Sequence, residues 1–166
     1  MKKNKKIALI ALYSALSVLL GGIENMLPSP AFGIKLGLGN ITVLVALFVL
    51  GWKSALLVAI LKVFLCSMLF GTPTVLLYSL SGALLSFIVM LAAKKVRCFS
   101  VIGISLLGGI FHNLGQLICA YFLVGKGALY YIPVLCAFGC AAGILTGIAA
   151  NIIIKRGRSV WQKMII

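Results

Sequence analysis

An all-α integral membrane protein of six transmembrane helices is the fold class this sequence predicts, on three observations. Of the 166 residues, 63% are apolar and 10% are charged, whereas an ordinary soluble domain carries about a quarter charged residues. The 15 lysines and arginines face a single acid, Glu24, and they fall between long apolar runs instead of on one polar face. The runs themselves approach the roughly 20 residues that a bilayer-crossing helix needs. A chain this apolar could not cover its own surface in water. Its length accommodates six such spans with short connections and leaves none over for a soluble catalytic or nucleotide-binding domain.

Taken in order, the spans are expected at about 7–24, 34–51, 54–71, 74–93, 100–124 and 132–154, forming a single transmembrane domain over 1–166. The run Ile7 to Leu20 follows a basic Met-Lys-Lys-Asn-Lys-Lys start, as in a signal peptide, but no A-x-A cleavage pattern follows it. More spans come after, so it is read as a retained first helix. Pro28 and Pro30 stop that helix. Gly51-Trp52-Lys53 and Gly71-Thr72-Pro73-Thr74 are tight turns. Lys94, Lys95 and Arg97 mark the fourth connection, and Gly125-Lys126-Gly127 the fifth. Lys155-Arg156-Gly157-Arg158 closes the last span ahead of a short tail with Trp161.

Orientation follows from where the basic residues lie. With the N-terminus in the cytoplasm, the inner side receives Lys2, Lys3, Lys5, Lys6, Lys53, Lys94, Lys95, Arg97, Lys155, Arg156, Arg158 and Lys163. Only Lys35, Lys62 and Lys126 remain, the first and last near the outer face and Lys62 inside the third span. The positive-inside rule then places both termini in the cytoplasm. The +14 net charge therefore reports topology, and nucleic acid is not an expected partner. The five cysteines, Cys66, Cys98, Cys119, Cys136 and Cys140, lie in or beside apolar segments and read as small buried residues, not a disulfide framework.

Small residues mark the expected helix contacts, since helices in lipid associate through close backbone approach. Gly139, Gly143 and Gly147 make a stripe along the last helix, and Ala8, Ala11 and Ala15 a small face on the first. Polar residues within spans are costly unless they face a cavity or a partner, so they are the candidates for function. His112 and Gln116, four apart, share one face of the fifth helix, with Asn113 beside them and glycines on either side. Lys35 and Asn40 open the second helix, where Lys35 could reach a bound anion or snorkel to headgroups. Lys62 near mid-span costs about 2.5–3.5 kcal/mol on an insertion scale, and one acid cannot neutralise Lys35, Lys62 and Lys126 together. An anionic ligand could. Tyr78 joins Phe32, Phe70, Tyr121, Tyr130 and Tyr131 on the outer side, where an interfacial belt and ligand stacking are both open readings.

Absences narrow the function further. No P-loop occurs, so the chain cannot hydrolyse ATP alone. With no Asp and one Glu it lacks the paired carboxylates of acid–base chemistry and of Mg²⁺-held diphosphates. The lone His112 has no cluster with which to bind a metal. No catalytic residue, metal or cofactor is expected.

From Ala8 to Leu50 the sequence resembles the substrate-binding S components of energy-coupling factor (ECF) vitamin transporters. The likeness lies in an alanine-faced first helix, a Pro-containing outer loop and a helix opening Lys35-Leu36-Gly37-Leu38-Gly39-Asn40. With Gly109-Ile110-Phe111-His112-Asn113-Leu114-Gly115-Gln116 it resembles more closely the Gx transporter family, often labelled heptaprenyl diphosphate synthase component I. Prenyl diphosphate synthases share DDxxD motifs, and this chain has no Asp, so the resemblance is kept for transport and not for synthesis. It implies an S-component-like six-helix bundle in a bacterial plasma membrane, capturing a small anionic or amphipathic metabolite or vitamin-like precursor from outside. The ligand set implied is Lys35, Asn40, Lys62, Tyr78, His112, Asn113 and Gln116, under the outer loops at 24–34, 71–74 and 125–131. It further implies that Ala8, Ala11 and Ala15 meet a transmembrane coupling subunit driven by two ABC ATPases, and that the S component topples to release its cargo. A non-catalytic membrane subunit of a quinone- or flavin-linked redox complex, or of an isoprenoid-related one, is the alternative, and a membrane enzyme acting on prenyl chains a third.

Overall fold

A computed structural model describes residues 3–26, 37–96 and 98–165, with side chains described through 157. Six α-helices follow one another: α1 Lys3–Met26, α2 Leu38–Val49, α3 Trp52–Phe70, α4 Pro73–Lys95, α5 Val101–Val124 and α6 Ile132–Ile165. A short 3₁₀ helix, Lys126–Tyr131, joins α5 to α6, and no strand occurs among the described residues. The local signals account for the ends. Pro73 takes the first position of α4 behind a Thr72 cap whose hydroxyl accepts from the Val75 N–H, and Ser100 caps α5 in the same way through the Gly103 N–H.

Five helices, all but α2, are long and apolar enough to cross a membrane. Their outward faces are apolar: Leu12, Leu19, Phe64, Leu65, Leu77, Ile88, Ile118 and Leu145 are all exposed. A surface of this kind belongs in hydrocarbon. The chain is a multi-pass membrane protein.

α2 is different. Its 12 residues span about 18 Å, short of the roughly 30 Å hydrocarbon core. It is the central helix, apolar all round, with Thr42 through Leu47 buried consecutively between α1, α3 and α6. It begins at Leu38, later than the 34 expected from sequence, because Gly37 adopts a left-handed φ of 77° that breaks the helical path. α1, in turn, runs to Met26 and carries Glu24 into the bundle.

The remaining contacts are antiparallel and close. α5 packs most extensively on α6 and on α4. The expected glycine stripe is where α6 meets α5: a Cβ on Gly143 would lie 2.8 Å from Leu106 Cα, and one on Gly147 3.0 Å from Ile102 Cα. Between these helices the Ser105 and Thr146 hydroxyls are 2.9 Å apart. At the end bearing the chain termini, Lys94 Nζ donates to the Leu47 carbonyl at 2.6 Å and sits 4.7 Å above the Phe48 ring, closing the last turn of α2. The buried apolar cluster of α2, α3 and α4 fills this same half. The other half is where polar groups gather.

Candidate functional site

At the end remote from the termini, four helices contribute polar side chains to one cavity of about 80 Å³. Glu24 comes from α1, Asn40 from α2, Lys62 from α3, and His112, Asn113 and Gln116 from α5. α2 reaches this place because Gly39 has no side chain: a Cβ there would meet Lys62 Cε and the Ser17 carbonyl, each at 2.8 Å. The Gly39 carbonyl accepts from the Ser17 hydroxyl at 2.6 Å and from Thr42 at 2.9 Å, which pins the first turn of α2 to α1. Asn40 then points across to α3, where its Oδ1 accepts from Lys62 Nζ at 2.6 Å. The lysine that sequence alone leaves buried at a cost is thus held by a charge-assisted hydrogen bond.

Glu24 completes the arrangement. Its carboxylate accepts from the Gly37 N–H, just before the positive end of α2, and the residue is only 8% exposed. On α5, His112 and Gln116 stand side by side, with Gln116 Nε2 3.3 Å from His112 Nε2. They lie over Gly82 of α4, where a Cβ would come within 2.7 Å of the His112 carbonyl and 2.9 Å of Gln116 Cγ. Asn113 Nδ2 donates to the Leu135 carbonyl of α6 at 2.7 Å, so its amide ties two helices while its edge lines the cavity.

Two further spaces adjoin. A larger chamber of about 540 Å³ lies between α4, α5, the 3₁₀ helix and α6, and its lining shares Phe70, Val75, Ser79 and Gln116 with the polar cavity. Its walls are mostly apolar, among them Leu117, Val124, Ala128, Tyr131 and Val134. Deeper in the bundle, a pocket of about 40 Å³ shares Asn40, Lys62 and His112 with the polar cavity and ends at Ser86, Ser105 and Thr146. No group of three His, Cys, Asp or Glu side chains able to hold a metal occurs among the described residues.

The residues singled out by sequence therefore separate. Asn40, Lys62, His112, Asn113 and Gln116 share the polar cavity, whereas Tyr78 lines the apolar chamber. Lys35 and Phe32 lie outside the described residues. Ala8, Ala11 and Ala15 sit on the exposed side of α1 and line neither space. Glu24, which sequence reasoning weighed as a counter-charge but did not place among the site residues, joins them in the cavity; its signal is that it is the sole acid of the chain.

Residues 13–153 match the family model described as heptaprenyl diphosphate synthase component I. The chain belongs to that family. Comparison with curated proteins and with solved structures returns no match. The component I match takes in all of α2 to α5 and the ends of α1 and α6 that form the site, so every described polar residue of the cavity falls within it. The family's printed name speaks of a diphosphate ester, yet the cavity presents one carboxylate and no acidic cluster to hold a divalent ion on such a group.

Proposed function

We propose that this chain is the substrate-binding subunit of an ECF-type importer, a non-catalytic capture protein of the bacterial plasma membrane with both termini in the cytoplasm. All six helices then serve as membrane segments, the short α2 among them. The observation that carries this reading is the convergence of Glu24, Asn40, Lys62, His112 and Gln116 from four helices on one cavity beside a large apolar chamber. Ligand sites are of this kind, mostly apolar with a few convergent polar groups. Glu24 is the only carboxylate in the chain, so two-carboxylate acid–base chemistry has no place there. The cargo is a small anionic or amphipathic metabolite or vitamin-like precursor.

The absence of a P-loop from the sequence requires that energy come from outside the chain. Ala8, Ala11 and Ala15 are exposed on α1 and offer a small-residue face for close docking of a transmembrane coupling subunit with two ABC ATPases. A mild-detergent pull-down of the tagged protein from its native membrane, with mass spectrometry of proteins and small molecules, tests this. Recovery of a coupling protein with ATPases and a retained metabolite is the expected result. His112→Ala should lose the metabolite while expressing normally, and full retention by that variant would place the site elsewhere.

Two observations favour a second reading. The apolar chamber and the family's printed name suit a non-catalytic membrane subunit of an isoprenoid-related or quinone- or flavin-linked complex. Recovery of prenyl-chain or redox enzymes in place of ATPases would favour it.

A further inference from the structure

Two spaces that share a wall, one polar and one apolar, specify more about a ligand than either does alone. The polar cavity, at about 80 Å³, holds roughly two or three waters' worth of liquid volume. The chamber beside it, at about 540 Å³, lies within the roughly 300–1,000 Å³ of small-molecule pockets. Gln116 and Ser79 line both, so the spaces adjoin at these side chains, and a molecule spanning them would place a compact polar end against Glu24, Asn40 and Lys62 and an apolar body beneath the 3₁₀ helix.

The charges of the small cavity then constrain the polar end. Glu24 and Lys62 contribute one negative and one positive charge, and His112 and Cys66 are the other titratable side chains in its lining. Lys35, outside the described residues, could raise that balance by only one. A diphosphate brings several negative charges beside a buried carboxylate, without the cations needed to compensate them. Resting on the capture reading above, we infer that the ligand is an amphipathic molecule whose compact head carries no net charge, and that a prenyl diphosphate is not the cargo. The neutral head hydrogen-bonds Asn40, His112 and Gln116 and leaves the Glu24 and Lys62 charges balanced. The expectation of an anionic ligand drew on a lysine surplus; among the described residues of the cavity, Glu24 offsets the one lysine present, Lys62.

Cys66 lines the polar cavity and reports its occupancy. With Cys98, Cys119, Cys136 and Cys140 replaced by Ser, the rate of N-ethylmaleimide modification at Cys66 is measured in lipid nanodiscs. Three probes share one apolar body: geraniol, geranic acid and geranyl diphosphate. Geraniol should slow labelling about tenfold at a concentration near ten times its Kd, with geranyl diphosphate giving no protection there. Stronger protection by the diphosphate overturns the inference. Protection by none of the three also overturns it; the capture reading survives that result if the pull-down still retains a metabolite, and falls with it if not. In Glu24→Gln the cavity gains one net positive charge, and geranic acid should then protect better than geraniol. An unchanged order in a folded variant removes Glu24 from control of head charge, and the wild-type comparison decides the neutral-head claim by itself.

Discussion

At the scale of the residue, backbone proximity decides what each glycine does. A Cβ on Gly109 would lie 2.3 Å from the Gly139 carbonyl and 3.0 Å from Gly143 Cα, both backbone atoms that cannot rotate away. Gly109→Ala must therefore push α5 from α6, and we expect a loss of about 1–3 kcal/mol, the usual range for overpacking. A Cβ on Gly103 would meet only Phe99 Cδ1 and Ser100 Oγ, at 3.5 and 3.6 Å, so Gly103→Ala should leave the unfolding midpoint in detergent nearly unchanged. Equal shifts for the two would contradict the packing described. The Lys62–Asn40 pair gives a second residue-scale expectation. Asn40→Ala takes an acceptor from a half-buried ammonium, whereas Lys62→Met removes the charge itself. The first should cost more stability, by about 1–3 kcal/mol, and the same midpoint measurement ranks them.

At the scale of the element, α1 has two distinct sides. Tyr13, Ser14, Ser17, Gly21 and Glu24 are buried against the bundle, and Ala8, Ala11 and Ala15 face away from it. A bulky group on the outer side meets no internal neighbour. Ala15→Trp should thus leave the unfolding midpoint of the isolated protein within about 0.5 kcal/mol of wild type and abolish co-purification of the proposed coupling subunit. An intact complex with that variant would remove α1 as the docking element. α2 works the other way, as an interior post. Its six consecutive buried residues fill the terminal half, and the pinned first turn presents Asn40 to the cavity.

At the scale of the whole molecule, charge is distributed by end. Lys94 and Lys95 close α4 and Lys155 and Arg156 lie beyond the apolar part of α6, at the end that carries both termini. α6 has 34 residues, about 51 Å of helix, so it projects well past a single hydrocarbon thickness. Cys98, exposed between α4 and α5, is a topological marker for this end. A membrane-impermeant maleimide should label it in inside-out vesicles and not in right-side-out ones. Labelling from the outside would invert the proposed orientation and place the candidate cavity on the cytoplasmic face.

The sequence by itself determined the class of molecule and most of its helices. Apolar content and run length report directly on the solvent the chain must live in, Pro73 opens α4, and Gly71 and Gly125 end α3 and α5 through local backbone chemistry. It also pointed to polar residues that the fold brings to one cavity, because Asn40, Lys62, His112 and Gln116 each carry a burial cost that demands a partner. Only the tertiary structure decided how those residues combine. Glu24 reads as a loop acid until two more residues of helix and a left-handed Gly37 bring it to the start of α2. Tyr78 enters the apolar chamber, and Asn113 spends its amide on the α6 backbone, because side-chain direction follows from the rotation of one helix against another. Such rotation is set by close contacts like Gly39 on Lys62 and Gly109 on Gly139, made between residues far apart in the chain, and no local pattern encodes them.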